Sequence, residues 1–144
     1  MYLSREQENI YQIQMRLEND YPLDLRPSWD EYFLAIAKVV ASRASCPRAR
    51  VGSVIIAPDH GILSTGYDGR ETGKPSCLEV GCRVEDNHCQ LAIHSELNAV
   101  AWLAKHGTSI PIGSRIYIWS SRGDKEPCRE CKKVLKATGL EWVM

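Results

Sequence analysis

Several features that define other protein classes are scarce or absent in this sequence. The chain of 144 residues has 18 Lys plus Arg and 18 Asp plus Glu, so neither sign of charge is in excess. A surface without a net positive field is poorly suited to holding a long nucleic acid. No apolar run approaches the ~18 residues that a membrane-spanning helix requires. The composition therefore argues against a membrane protein and against a long nucleic acid as partner.

The beginning of the sequence also lacks the apolar core of a secretory signal peptide. Residues 1–8 are mostly polar and charged, which is unlike such a leader, and we expect a cytoplasmic protein. Disulfides are rare in that compartment, so the six cysteines indicate metal ligands instead. No internal repeat or low-complexity tract occurs, and a chain of this length is typical of one domain.

Helix and strand signals alternate along the chain. Helices are predicted over residues 4–19, from Ser28 onward, over 94–105 and over 128–138. Strands are predicted over residues 51–57, 62–67, 115–119 and 140–144. Residues 21–27 contain two prolines and indicate a linker, and residues 68–90 indicate an irregular loop. Helices that alternate with short apolar strands predict an α/β layered domain.

The first two predicted helices carry distinct signals. The N-terminal one has apolar residues at helical spacing, namely Ile10, Ile13 and Leu17. The second begins with Ser28 as a predicted N-cap and has Glu31 three residues later, which is a capping box. Its apolar face is predicted to consist of Tyr32, Ile36, Val39 and Val40.

Two short motifs carry the chemistry. The first is His94-Ser95-Glu96, and the second is Pro127-Cys128-Arg129-Glu130-Cys131. This H-x-E and P-C-x-x-C pair is the signature of zinc deaminases, which remove an amino group from a nucleobase. We predict that His94, Cys128 and Cys131 bind a catalytic zinc and leave its fourth position to water. Glu96 is then the predicted general acid and base, which accepts a proton from water and passes it to the ring nitrogen and the leaving amine.

Each half of this pattern has an ordinary explanation when it is taken alone. A Cys-x-x-Cys pair is also found in structural zinc sites and in redox pairs. A histidine at the start of a helix is often a cap or a surface residue. The joint occurrence, with the proline before Cys128 and the glutamate two residues after His94, favours the catalytic interpretation.

At this point the sequence resembles a known family, the zinc-dependent cytidine deaminase superfamily, and within it the deoxycytidylate (dCMP) deaminases. The similarity extends over about residues 26–144. Its further segments are RPSWDEYF at 26–33, CPR at 46–48, VGSVI at 51–55, STGYDG at 64–69, VGC at 80–82, DNHC at 86–89 and IHSELNA at 93–99.

The resemblance implies a fold, an activity and partners. It implies a three-layer α/β/α sandwich on a mixed sheet over residues 26–144, with residues 1–25 as a helix and linker packed on this domain or on a partner subunit. The implied reaction is the hydrolytic conversion of dCMP to dUMP and ammonia, which supplies dUMP for dTMP synthesis. It also implies a homo-oligomer, a hexamer or smaller, with dCTP and dTTP as effectors.

The four remaining cysteines are Cys46, Cys77, Cys82 and Cys89. Some dCMP deaminases hold a second, structural zinc, and Cys46 and Cys77 resemble its ligands there. Four thiolates would satisfy tetrahedral zinc and fix the loop of residues 68–90, with His88 as an alternative to Cys89. The other interpretation is that these residues are ordinary buried or free thiols.

Substrate contacts are predicted at Asp68, Tyr67, Ala92, Ile93 and Trp119. The family usually has Asn where this chain has Asp68, and that Asn contacts the sugar and base. An ionised Asp has no hydrogen to donate and repels a phosphate, but it accepts from a hydroxyl or amino group; its other interpretation is that it holds the turn. Trp119 or Tyr117 is predicted to stack on the base, although aromatic residues in strands are more often core residues.

Two further departures from the family lie towards the end of the sequence. Residues 120–126 lengthen the segment before Pro127. They form either a lid or phosphate clamp, through Arg122 or Lys125, or a solvated insertion, and we favour the insertion. Related chains usually continue beyond the position of Met144, so we expect a partner subunit or the N-terminal helix to cover the edge of the sheet.

Two alternatives to a dCMP deaminase stay open. One is a deaminase of another cytosine or purine compound, such as dCTP, cytidine, or an adenine or guanine derivative. The other is a zinc-stabilised module that binds nucleotides without catalysis, which the presence of Glu96 disfavours.

Overall fold

The computed structural model describes Glu8, Ile10 and residues 26–144. Its helices are α1 (Trp29–Ala41), α2 (Cys77–Val80), α3 (Ser95–His106) and α4 (Arg129–Ala137). Its strands are β1 (Val51–Ile56), β2 (Ile62–Tyr67), β3 (Val84–Glu85), β4 (His88–Cys89), β5 (Arg115–Ser120) and β6 (Glu141–Val143). Within these residues, none of the helices has the length and apolar character needed to cross a bilayer.

The main sheet has four strands in the order β2-β1-β5-β6. β1 pairs antiparallel with β2 and with β5, whereas β6 runs parallel to β5. All six residues of β1 are buried, because this strand is central and has helices on both faces. The sheet is therefore mixed, as predicted.

Two apolar clusters separate the faces of the sheet. Phe33, Leu34 and Ala37 of α1 pack with Val54, Ile56 and Tyr117 on one face. On the other face, Ile55, Ile116 and Ile118 pack with Ala99 and Leu103 of α3 and with Leu135 of α4. Alternate residues of one strand point to opposite faces, so β5 contributes to both clusters. This three-layer α/β/α arrangement confirms the predicted fold class.

The start of α1 confirms the predicted cap, but its buried face differs from the prediction. The Ser28 Oγ accepts a hydrogen bond from the Glu31 N–H at 3.2 Å. Val39 and Tyr32, which were predicted to be inside, are exposed. Ile36 and Val40, the other two predicted residues, are partly buried against the cluster on this face. The fully buried residues of α1 are Phe33, Leu34, Ala35, Ala37 and Ala41.

The physical reason is the close approach of α1 to β1. A Cβ placed on Gly52 would lie 2.3 Å from the Ala37 carbonyl oxygen and 2.4 Å from the Ala41 nitrogen. Only small residues fit between a helix and a strand whose backbones are this close, so alanines rather than valines face the sheet.

The loop predicted over residues 68–90 contains short regular elements. The Glu79 carboxylate accepts the Ser76 N–H at 2.6 Å and completes a capping box for α2. β3 and β4 form a hairpin, and its turn residues Asp86 and Asn87 have φ of 48° and 63°. Asp and Asn tolerate this left-handed conformation, which two-residue hairpin turns require.

The N-terminal prediction is tested at two positions only. Glu8 and Ile10 are helical, and Ile10 is buried at 3 % exposure in the cluster on the α1 face. The other residues of the predicted helix, including Ile13 and Leu17, and residues 21–25 of the linker lie outside the described residues.

Candidate active site

The first motif and the second motif meet where two helices begin. His94 is the N-cap of α3, and Cys128 is the N-cap of α4. The His94 Nδ1 lies 3.3 Å from the Cys131 Sγ and 3.4 Å from the Cys128 Sγ. These three ligand atoms lie within 4.8 Å of one another. The structure thus brings together the three predicted ligands of the catalytic zinc.

The protonation of these side chains depends on burial. Burial raises the pKa of the Cys131 thiol, and the nearby Glu96 carboxylate raises it further. Burial lowers the pKa of His94, which keeps its imidazole neutral. A bound cation is what would favour the thiolate form here.

Glu96 lies in the first turn of α3 and is only 5 % exposed. The Ser95 hydroxyl donates a hydrogen bond to the Glu96 Oε2 at 3.1 Å. The same hydroxyl lies 2.6 Å from the Ser53 Oγ on β1. These contacts join the catalytic carboxylate candidate to the central strand and restrict its position.

The packing of α3 on β2 has the same effect. The Ser64 Oγ donates to the Ala99 carbonyl at 2.9 Å. A Cβ placed on Gly66 would lie 2.3 Å from the Ser95 carbonyl oxygen and 2.4 Å from the Ala99 nitrogen. Because Gly66 has no side chain, α3 lies directly on the strand, and its first turn points into the site.

A cavity of about 130 Å³ opens beside the His94 and Cys128 side chains. Glu96 and Asp68 line it, and most of the remaining wall comes from the segment between β5 and α4. The other lining residues are Val51, Ser120, Arg122, Asp124, Glu126, Pro127 and Met144.

Asp68 has a structural role in addition to its place at the cavity. Its Oδ1 accepts the Ser95 N–H at 2.7 Å. The N-cap residue His94 makes no side-chain cap hydrogen bond, so Asp68 caps α3 from the end of β2 and leaves the imidazole for the metal group. Burial raises the pKa of Asp68 to about 7, against the opposing effect of the Ser95 N–H. Its role in holding this turn, one of the two sequence interpretations, is therefore observed.

The lengthened segment of residues 120–126 contains its own hydrogen bonds. The Ser120 Oγ donates to the Asp124 Oδ2 at 2.6 Å, and the Arg122 Nε donates to the same oxygen at 3.2 Å. Glu126 forms an ion pair with Lys132 of α4. Ser120 is buried and most of the other residues of this segment are exposed. Four of its residues line the cavity, so it is more than the solvated insertion that we favoured.

Of the five predicted substrate contacts, Asp68 alone is among the described residues that line the cavity. Tyr67 is exposed at the end of β2, and its carbonyl accepts from the Asn98 amide. Ile93 pairs with Gly69 through backbone hydrogen bonds. Ala92, which directly precedes Ile93, does not line the cavity either.

Trp119 was predicted to stack on the base, but its ring lies on the opposite face of the sheet from α3. Its ring packs against the cluster on the α1 face, and the Lys38 Nζ lies 5.5 Å from the ring centroid. Tyr117 points to the same face and donates to Asp30 at 2.7 Å. Because strand residues alternate, the residues of β5 that face α3 are Ile118 and Ser120, and Ser120 reaches the cavity. Counting this alternation from the buried Ile116 would have identified Ser120.

A second group of potential ligands lies in the irregular segment. The Sγ atoms of Cys77, Cys82 and Cys89 lie within 4.8 Å of one another, and those of Cys77 and Cys89 are 3.8 Å apart. Cys46 is buried, and its charge is among the causes that raise the pKa of Cys82, after burial. Among the described residues, the 4.8 Å group contains three of the four predicted thiols and omits Cys46.

The Cys89 sulfur accepts hydrogen bonds from several backbone N–H groups. Burial acts to raise its pKa, but the backbone N–H groups of Ala92, Leu91 and Arg83 lower the pKa to about 7. N–H groups directed at one sulfur stabilise its thiolate form. Ala92, predicted as a substrate contact, thus contacts this second group instead.

His88, the alternative fourth ligand, is not part of the 4.8 Å group of thiols among the described residues. Its ring lies against the His94 ring, with 5.6 Å between centroids and 22° between planes. Its Nδ1 lies 3.1 Å from the Asp86 carbonyl oxygen. Since Cys89 follows His88 directly, the β3–β4 hairpin connects the thiol group to the catalytic metal group.

Comparisons with known proteins agree with this geometry. The family model described as "Cytidine and deoxycytidylate deaminase zinc-binding region" matches residues 27–144. ComE operon protein 2 of Bacillus subtilis is 35 % identical over 118 residues, which cover 82 % of this chain and 59 % of that protein. The deoxycytidylate deaminase of Mycobacterium phage D29 is 32 % identical over 131 residues, which cover 83 % of this chain and 94 % of that enzyme.

A solved structure shares the architecture. The dCMP deaminase of cyanophage S-TIM5, crystallised in complex with dCMP and dUMP, matches with a TM-score of 0.64 and 25 % identity. The match covers 82 % of each chain. The chain spans only about three fifths of the length of ComE operon protein 2, so the likeness concerns the domain that carries the metal motifs. On the family match and these relatives, the chain belongs to the cytidine and deoxycytidylate deaminase family.

Proposed function

We propose that this protein is a zinc-dependent hydrolase that converts dCMP to dUMP and ammonia. The observation that carries the proposal is the buried Glu96 carboxylate in a cavity that also exposes His94 and Cys128. The phage D29 relative is named a deoxycytidylate deaminase, and the S-TIM5 enzyme was crystallised with dCMP and dUMP. Both names support dCMP as the substrate.

The donor set of the first group fits zinc. Two thiols and one imidazole are ligand types that zinc prefers, and three protein ligands leave a fourth position open, as in catalytic sites. When bound, zinc acts as a Lewis acid and makes water a better nucleophile at neutral pH. The neutral state of His94 that follows from its lowered pKa is the state that coordinates a metal.

Glu96 is the proposed proton carrier. Its carboxylate faces the cavity, where it accepts one proton from the attacking water and delivers it to N3 of the cytosine ring. It then accepts the second proton from the hydroxyl that the water has left on C4 and delivers it to the amine, which departs as ammonia when the C4–N bond breaks. The Ser95 hydroxyl, which donates to one carboxylate oxygen, holds the group in place. The burial of Glu96 excludes bulk water from this transfer.

The second group fits a structural zinc. Cys77, Cys82 and Cys89 supply three thiols, and we propose Cys46, which is buried and influences their pKa values, as the fourth. Such a site would tie the segment between β2 and α3 to the loop before β1. Homo-oligomer formation, dCTP and dTTP as effectors, a cytoplasmic location and the division into residues 1–25 and 26–144 stay predictions.

The decisive experiment replaces Glu96 by Gln. Glu96→Gln keeps the side chain's size but removes the group that carries protons, so ammonia release from dCMP should fall at least ~10²-fold. Zinc content should be unchanged, because Glu96 is not one of the proposed ligands. Glu141→Gln, which removes an exposed carboxylate of β6 outside the cavity, is the matched control.

A panel of substrates separates the alternatives. Ammonia release should be measured with dCMP, deoxycytidine, dCTP, and adenine and guanine nucleotides. Near-normal turnover by Glu96→Gln contradicts the proposed role of this residue. Binding of dCMP by the wild-type protein with no release of ammonia from any compound would instead indicate a nucleotide-binding module.

A further inference from the structure

The segment between β5 and α4 has no part in the proton transfer, yet it forms a wall of the cavity. Ser120, Arg122, Asp124 and Glu126 all line it. The side chains of Arg122 and Asp124 are 56 % and 39 % exposed, whereas Glu96 is 5 % exposed. Ser120, at the end of β5, is buried at 4 % exposure. The cavity therefore has a buried end at Glu96 and Ser120 and an open end at Arg122 and Asp124.

The difference between the buried end and the open end of the cavity determines how a nucleotide would lie in it. If the proposed function is correct, the reacting carbon of the base must lie beside Glu96, at the buried end. The sugar and its 5′-phosphate then extend toward the open end, because the reactive end of the base faces away from the sugar. The charged side chains that line this open end are those of Arg122, Asp124 and Glu126.

A carboxylate already occupies the hydrogen-bond donors found there. One oxygen of Asp124 accepts from the Ser120 hydroxyl at 2.6 Å and from the Arg122 guanidinium at 3.2 Å. The Ser120 Oγ in turn accepts the Arg122 N–H at 3.3 Å, which directs its own hydrogen at Asp124. A hydroxyl and a guanidinium that converge on one anionic oxygen are also the donors that bind phosphate.

We infer that Ser120 and Arg122 form the subsite for the 5′-phosphate of the substrate and that Asp124 competes with the phosphate for it. The inference rests on the proposed function, since it needs a nucleotide in this cavity. It assigns a specificity role to a segment that departs from the usual length in the family.

The charges around the subsite make this competition effective. Glu126 is paired with Lys132. Arg122, which lines the cavity, is paired with Asp124. An exposed ion pair of this kind is weak and is easily exchanged for another anion. A phosphate with two oxygens facing the guanidinium can replace the single contact of Asp124, whereas an uncharged nucleoside cannot.

The test compares ligands with and without the phosphate. The variants are Arg122→Gln and Asp124→Asn, which retains an oxygen to accept from Ser120. Arg43→Gln, which removes an exposed cation outside the cavity, is the control. Calorimetric titration with dUMP and with deoxyuridine gives the ratio of Kd values, and ammonia release gives the ratio of kcat/KM for dCMP and deoxycytidine.

Opposite changes are expected in the two variants. Arg122→Gln should reduce the preference for the phosphorylated ligand about 10- to 100-fold in both ratios, as expected for loss of hydrogen bonds to a charged group. Asp124→Asn should increase it roughly two- to fivefold, the range of an exposed ion pair. Arg43→Gln should keep the wild-type ratios.

Three results overturn the inference. One is an unchanged preference in Arg122→Gln. Another is a lower preference in Asp124→Asn. The third is wild-type protein that deaminates dCMP and deoxycytidine equally well, which leaves the proposed deamination intact. If the wild-type protein neither binds dUMP nor releases ammonia from any cytosine compound, the proposed function and the inference both fail.

Discussion

Gly66 offers a test of how the sheet positions the catalytic helix. Gly66 lies so close to α3 that a Cβ on it would be 2.3 Å from the Ser95 carbonyl oxygen. Ordinary contacts of a Cβ atom begin at 3.4 Å. Gly66→Ala therefore requires α3 to move by about 1 Å relative to β2. Because His94 and Glu96 stand at the start of this helix, the metal ligand and the carboxylate move with it.

Gly66→Ala should affect both the free energy of unfolding and the rate of catalysis. Overpacking of this size costs about 1–3 kcal/mol, which lowers Tm by roughly 3–12 °C for a chain of this length. The lower entropy that Ala gives the unfolded chain offsets only ~0.4–1 kcal/mol of this loss. A displacement of about 1 Å at reacting groups costs roughly 10²-fold in rate.

Gly52 provides a matched control on the opposite face of the sheet. A Cβ there would lie 2.3 Å from the Ala37 carbonyl oxygen and 2.4 Å from the Ala41 nitrogen of α1. Gly52→Ala should lose a similar amount of stability, measured by thermal unfolding, but should retain far more turnover at a temperature where both variants are folded. Equal ammonia release per folded molecule in the two variants would refute the claim that Gly66 positions α3.

Two other changes test the second metal group and the cap of α3. Wild-type protein should contain two zinc ions per chain, and Cys77→Ser should contain one and unfold at a lower temperature; one zinc in the wild-type protein contradicts the second site. Burial raises the pKa of Asp68 from 3.8 to about 7, so its contribution to stability is complete below about pH 4 and is lost as pH rises through about 7. Asp68→Asn keeps an acceptor for the Ser95 N–H without this loss. Its gain in Tm over wild type should therefore grow between about pH 5 and about pH 8, and a gain independent of pH would contradict the assignment.

The convergence of His94, Cys128 and Cys131 was the most predictable feature of the molecule. Zinc prefers thiolate and imidazole ligands, and the two sequence motifs supply these ligands at the starts of two helices. The order of helices and strands was also predicted, since period and cap signals are local. Of the two spare cysteines that the resemblance implied as ligands, Cys77 lies in the group with Cys82 and Cys89, whereas Cys46 lies outside it.

Side-chain direction was less predictable. Of the four residues predicted for the apolar face of α1, Ile36 and Val40 pack against the core and Tyr32 and Val39 do not, because backbone contact with Gly52 favours alanines. Trp119 was predicted to stack on the base, with a core position as the other interpretation, and strand alternation directs it to the cluster on the α1 face. Both errors arise because a tertiary contact, rather than residue type, decides which side is buried.

The segment between β5 and α4 escaped prediction for another reason. Ser120, the last residue of β5, could be found by strand alternation, but Arg122 and Asp124 have ordinary loop composition. Their convergence on Ser120 depends on where β5 and α4 place the two ends of the loop. Asp68 could be singled out from the sequence as a departure from Asn, but its role as the cap of α3 needed the observation that His94 makes no side-chain cap.

The ends of that segment are held independently of what lies between them. Ser120 pairs with Val51 in the ladder between β5 and β1, and Cys128 is anchored as the N-cap of α4, where its sulfur accepts the Cys131 N–H. The residues between Ser120 and Cys128 can therefore change while both ends of the segment stay in place. Changes in the length and charge of this segment, natural or engineered, would alter which substituent of the ligand is accepted and would leave the metal ligands and Glu96 unchanged.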